Sequence, residues 1–353
     1  MIRAGKPGME GMGQASGYAA HLRRELAARS RRWARGKPHV ESYGSDPVIV
    51  YAPFEGRHGN FLDASYAAIA GRAEWMRRFA KIHAQGRALP KAEFESTGEA
   101  ARRWRELDSS MSSDALLMNV FCAPGVIESQ ALRNMLGIDE DAEPVFGWKA
   151  HVPLASGRFD RTEVDMRWGG LLVEAKLTEA DFQTRAARIV EEYRDFDAVF
   201  DREMLPRVEL RSARRRAAIE FAEEFTQEWE HPAEDDLLAR AFHAGLVAQA
   251  REAEPVVAGY ASYQLIRNVL AAYAEGCSFC VLHDERRPDL REAWYRVMAA
   301  VMSADMRVRC KVLTWQELAA FAPEPLQEFL DLKYGIVAPG RSSSMEAGIR
   351  ESF

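Results

Sequence analysis

The chain has 353 residues, 47% hydrophobic and 28% charged, with a formal net charge of −6. That is enough apolar material for one large domain or two ordinary ones, and it holds neither the roughly 18-residue apolar run of a membrane helix nor a secretory signal. A cytoplasmic protein with no membrane partner is therefore expected, and the negative balance argues against a nucleic-acid surface spread over the whole molecule.

In chain order, residues 1–16 are rich in Gly and Met and read as disordered, and residues 17–35 read as a basic helix. Residues 1–40 hold nine Lys/Arg against Glu10 and Glu25, a local balance of +7. Such an arm fits phosphate neutralisation as well as a solvated tail. Ser42 to Gly59 is loop-like around a short strand, Val48–Tyr51, and helices are predicted over Ala64–Gln85 and Lys91–Leu107. Ser112 reads as the N-cap of a helix running to Phe121, with Leu116, Leu117, Val120 and Phe121 on its apolar face. Strands follow at Val145–Pro153, Thr162–Trp168 and Leu171–Leu177.

Residues 182–258 are charge-rich and read as a mostly helical insertion. The basic run Arg211–Arg216 is followed by Glu220, Glu223, Glu224, Glu228 and Glu230, which favours a solvated face over a DNA-facing stripe. A helix over Ala261–Ala274, a buried strand at Ser278–Leu282, a helix over Arg291–Met302 and a strand at Val308–Leu313 come next. Thr314 and Glu317 form a capping-box signature that opens the last helix. Cys277 and Cys280 have the C-x-x-C spacing of zinc or redox pairs, but no second pair accompanies them. Cys280 lies in an apolar run, where a small buried hydrophobe is the better reading. No phosphate-binding Gly-rich loop, H-E-x-x-H or nucleophile elbow occurs.

The chemistry concentrates in Arg161–Lys176. Gly169-Gly170 between two strand-like runs marks a two-residue hairpin. Counting back from that turn, Trp168 faces Leu171, Asp165 faces Glu174 and Glu163 faces Lys176. Side chains alternate along a strand. Glu163, Asp165 and Arg167 therefore share a face with Leu172, Glu174 and Lys176, while Val164, Met166, Trp168, Leu171, Val173, Ala175 and Leu177 fill the other. Opposed residues stand about 5 Å apart at Cβ, and two carboxylates that close repel unless a proton or a cation lies between them. A hard divalent ion suits an oxygen donor pair, and Lys176 is placed to stabilise phosphorane charge or to help deprotonate water. A solvent-exposed hairpin face with a Glu163–Lys176 ion pair shares the same spacing.

Asp165, a hairpin-length interval and Glu174-Ala175-Lys176 resemble the D…E-x-K signature of the PD-(D/E)XK nuclease superfamily, and the order helix, three strands, helix, strand is similar to its core. Ser112–Phe121 and Tyr263–Asn268 resemble a bacterial branch of that superfamily. The resemblance implies a three-layer α/β/α restriction-endonuclease-like core with a mixed sheet over 108–335. The helical insertion at about 182–258 would sit within that core, with an N-terminal helical extension at 1–107 and a flexible tail at 336–353. It implies Mg²⁺ or Mn²⁺ held by Asp165, Glu174 and the Ala175 carbonyl, Lys176 as the catalytic cation, and Gln264 as a further catalytic candidate. Gln264 has an ordinary surface amide as its alternative, and Arg267 fits a phosphate contact or a surface pair. The expected substrate is nucleic acid, DNA by the resemblance, with a homodimer suited to double-strand cleavage. A catalytically inactive nucleic-acid binder of the same fold is the alternative. Val164 stands where the signature has Pro. Asp114 is the acid nearest to a first-helix catalytic carboxylate and reads as a capping-turn acid, since Glu128 lies beyond that helix.

Overall fold

The computed structural model describes residues 10–42, 46–83, 104–139, 141–210 and 257–341. Val145–Pro153 (β1), Phe159–Trp168 (β2) and Leu171–Ala175 (β3) form an antiparallel meander. Ser278–His283 (β4) and Cys310–Thr314 (β5) extend it in parallel, giving the order β5-β4-β3-β2-β1. Around it lie helices α1 (Glu10–Trp33), α2 (Asp63–Ala70), α3 (Ser113–Phe121), α4 (Gln130–Leu136), α5 (Tyr263–Glu275), α6 (Pro288–Ala299), α7 (Ala304–Arg309), α8 (Trp315–Ala319) and α9 (Glu324–Tyr334).

β3 is buried along its whole length and β4 nearly so, as befits central strands covered on both faces. On one face, Met166, Trp168, Val173, Ala175 and Leu282 pack with Leu117 and Phe121 of α3, with Leu326 and Phe329 of α9, and with Leu22 and Leu26 of α1. On the other, Leu172, Phe279 and Val281 pack with Leu265, Ile266 and Val269 of α5 and with Trp294 and Val297 of α6. The result is a mixed-sheet α/β/α sandwich, as the element order implies.

The helix starts are set by local chemistry. Ser112 Oγ accepts the Ala115 N–H at 3.1 Å at the head of α3, and Thr314 with Glu317 closes the expected capping box on α8. Replacing Ser112 by Ala removes one such acceptor. This is expected to cost about 1 kcal/mol in urea unfolding without altering the sheet.

Several boundaries differ from the sequence reading. α1 begins at Glu10, so residues 10–16 are helical. Its face Leu22, Leu26, Ala27 and Ser30 is buried, a stripe at helical spacing. Arg23 donates to the Thr178 carbonyl at 3.0 Å and Arg29 to the Asp331 carbonyl at 2.7 Å, so this basic helix is docked on the body. The single helix expected over 64–85 breaks after α2 at Gly71 into a short turn, Ala73–Met76, and a 3₁₀ turn, Arg77–Ala80. The described start of the insertion holds only single helical turns. Arg185–Ala186 and Arg207–Leu210 flank Val257–Tyr260 in a three-stranded sheet, a pairing distant in sequence that leaves no local period to read. Ser303 caps α7, which takes the first residues of the strand expected from Val308. The readings of residues 91–103, of Arg211–Glu230 and of the far C-terminus fall outside the described residues.

Candidate active site

The turn Gly169-Gly170 sets the hairpin register: Trp168 pairs with Leu171, Arg167 with Leu172 and Met166 with Val173. Gly169 takes φ 54° and Gly170 no positive φ, the φ pattern of a type II′ turn. Carried one step further, the register places Asp165 against Glu174, and the Asp165 carboxylate accepts the Ala175 N–H at 2.8 Å. Lys176 Nζ donates to Glu174 Oε1 at 2.6 Å, and Asn268 Nδ2 of α5 donates to Glu174 Oε2 at 2.8 Å. Glu174 and Lys176 are both buried.

The strand end carrying Lys176 is held from all sides. Its N–H donates to the Leu282 carbonyl of β4, and its carbonyl accepts from the Trp315 indole. Beyond it, the buried Arg287 guanidinium donates to the carbonyls of Leu177, Glu179 and Ala180. The Glu179 carboxylate accepts from Ser113 at the start of α3 and from the Leu177 N–H. A side chain anchored by its whole backbone neighbourhood keeps its direction, which a preorganised site requires.

One departure from strand alternation shapes the site. β1 and β2 pair at Phe146–Met166 and again at Trp148–Val164, but Gly147 and Asp165 between them form no ladder pair, and Gly147 has φ 68°. Val164 consequently packs with the α5 layer, whereas Met166 and Trp168 pack with the α3 layer. Glu163 correspondingly does not pair with Lys176. It accepts from Arg78 Nη1 at 2.6 Å, with Lys81 Nζ at 3.3 Å. A Cβ added at Gly147 would lie 2.5 Å from Arg78 Nη1. Gly147→Ala is therefore expected to destabilise the fold by about 1–3 kcal/mol through a strained φ and a displaced guanidinium, measured by thermal melting.

Asp114 is no mere capping-turn acid. It is buried, and its Oδ2 accepts from Arg78 Nη2 at 2.6 Å, with Lys81 Nζ at 3.3 Å. Burial, then the negative charges of Glu174 and Asp114, push the Asp165 carboxyl well above the usual carboxylate range, only partly opposed by Lys176 and the Ala175 N–H. Burial by itself would favour the neutral amine of Lys176, but Glu174, Glu179 and Asp165 outweigh it and keep the ammonium charged. Glu163 is also raised by burial, yet Arg78 and Lys81 bring it below its ordinary value.

A family model described as Restriction Endonuclease associating with ARP matches residues 28–335. The chain belongs to this family. Comparison with curated proteins and with solved structures returns no match. The family match runs from within α1 to Gly335, the C-cap of α9, and so spans every strand of the central sheet and both carboxylate pairs.

Of the residues expected at the site, Asp165, Glu174, Ala175 and Lys176 come together. Gln264 stands in the first turn of α5, where its N–H donates to the Phe182 carbonyl. Among the described residues no hydrogen bond joins its amide to the carboxylates, and the α5 side chain that reaches Glu174 is Asn268, one turn on. Arg267 Nη2 lies 3.5 Å from the Glu163 carbonyl. Arg78, Lys81 and Asn268 are the members the sequence did not reveal. Only the periodicity of α5 hints at Asn268, which shares its face with Gln264 and the buried Leu265, Ala271 and Ala272. Cys277 and Cys280 are buried in opposite layers, and burial pushes the Cys280 thiol up to about 12, the state of an inert thiol. Among the described residues no three His, Cys, Asp or Glu side chains are grouped to hold a metal, and none of the described helices is long and apolar enough to cross a membrane.

Proposed function

We propose that the chain is a metal-dependent nuclease of the PD-(D/E)XK type that hydrolyses DNA phosphodiester bonds. The observation that carries this reading is the meeting of Asp165 and Glu174 at the hairpin end, with Lys176 bonded to Glu174. Membership of a restriction-endonuclease family supports it. Asp165, Glu174 and the Ala175 carbonyl would hold Mg²⁺ or Mn²⁺. The donor set fits, because all the atoms are hard oxygens and the Asp165 and Glu174 carboxylates stand opposed across the hairpin. When bound, the ion supplies Lewis-acid stabilisation of the phosphoryl oxygens.

The chain's own residues do the rest. Asn268 fixes the plane of the Glu174 carboxylate. Lys176 stays an ammonium, so it does not take a proton from the attacking water. It has three donors, of which the Glu174 bond uses one, and it stabilises the charge that builds on the phosphoryl group. Asp165 would hold the ion as a carboxylate, and because its carboxyl is raised in the fold, metal affinity is expected to rise with pH. A two-fold homodimer would present two such centres to opposite strands.

The test is a digestion panel of plasmid, single-stranded DNA and RNA in Mg²⁺ or Mn²⁺, beside binding titrations in Ca²⁺. Cleavage of DNA that requires the metal and Asp165 supports the proposal. Binding without cleavage of any substrate would replace it with an inactive nucleic-acid binder of the same fold.

A further inference from the structure

We infer that Arg78 and Lys81 take the place that a second divalent cation would occupy, so that this centre works with a single metal ion. The inference rests on the proposed metal site and adds its stoichiometry. Two-metal centres set their ions about 4 Å apart and need further carboxylates to hold the second. The carboxylates beside Asp165 that would serve are Asp114 and Glu163. Both are already engaged, with Arg78 bridging them at 2.6 Å to each and Lys81 lying 3.3 Å from each.

The charges sort into two groups. Asp114 and Glu163 are balanced by Arg78 and Lys81. Among the described residues the one ion pair made by Asp165 or Glu174 is Lys176–Glu174, which leaves the Asp165 carboxyl for one cation. The arrangement is built for a guanidinium: Arg78 is buried, its planar fork matches two carboxylates, and Gly147 lacks the Cβ that would collide with it. An arginine cannot lose its charge in the accessible pH range. It therefore neutralises Asp114 and Glu163 permanently, where a metal would leave on chelation.

The experiment counts bound Mn²⁺ on the full chain by electron paramagnetic resonance at rising Mn²⁺. The expected result is one ion in the wild type, none in Asp165→Ala, two in Arg78→Met and a second, weaker ion in Lys81→Ala. Two ions in the wild type would overturn the inference, and so would a single ion in both Arg78→Met and Lys81→Ala. If Arg78→Met does not fold, Lys81→Ala decides, since its half-exposed side chain can be removed without opening the core. No ion in the wild type would defeat the metal reading itself, a result distinct from a wrong count.

Discussion

Asp165→Asn is expected to melt higher than the wild type in EDTA at pH 8, yet to cut no DNA in Mg²⁺. The Asp165 carboxyl is raised by burial and by its Glu174 and Asp114 neighbours. A group raised on folding contributes stability that is fully present below its unfolded value, in the ordinary carboxylate range. That contribution is lost as pH rises through the folded value. At pH 8 the unfolded carboxyl is ionised while the fold disfavours that charge, so the wild type has lost that contribution. Asn keeps an oxygen for the Ala175 N–H and removes the charge, so the variant should melt higher. The gain should vanish near pH 3, where the wild-type carboxyl is protonated in both states. Saturating Mg²⁺ should reverse the order, raising the wild-type melting temperature by mass action and the variant's far less. A variant less stable than the wild type in EDTA at pH 8 would show that Asp165 is not under electrostatic strain.

Lys176→Met is expected to lower the cleavage rate by roughly a thousandfold, the scale of losing one preorganised donor at a transition state. DNA affinity in Ca²⁺ should stay within a fewfold, because ground-state binding draws on many phosphate contacts and one lost cation changes the salt slope by only about one. Met fills a similar volume, and Glu174 keeps its bond from Asn268, which separates the loss of charge from collapse of the site. Cleavage within tenfold of the wild type would remove Lys176 from the chemistry.

What the sequence disclosed and what it hid divide along physical lines. The hairpin register followed from a Gly-Gly turn and a period of two, both local, and it placed Asp165, Glu174 and Lys176 together. Ser112 and Thr314 disclosed their helices because caps are local too. The face of Val164 was misread because strict alternation assumes a regular strand, and the positive φ of Gly147 opposite Asp165 ends that regularity. Arg78 was invisible because it reaches Glu163 across 85 residues of chain from a 3₁₀ turn that the periodicity merged into a longer helix. Gln264 was named from α5, whereas the hydrogen bond to Glu174 comes from Asn268, one helical turn on. Helical spacing gives both residues nearly one face, and only the depth at which α5 crosses the sheet selects between them.

α1 packs on α9, and Arg29 hydrogen-bonds Asp331 across 302 residues of chain. A contact so distant in sequence forms late, since loop closure must precede it. On the ribosome, the apolar stripe of α1 lacks its α9 contacts until α9 emerges, and a growing chain is expected to offer part of that stripe to chaperones in the meantime. The carboxylate centre is likewise incomplete until α5 delivers Asn268 and β4 pairs with Lys176. A chain stalled before residue 260 would thus be expected to bind chaperone and to possess no hydrolytic activity.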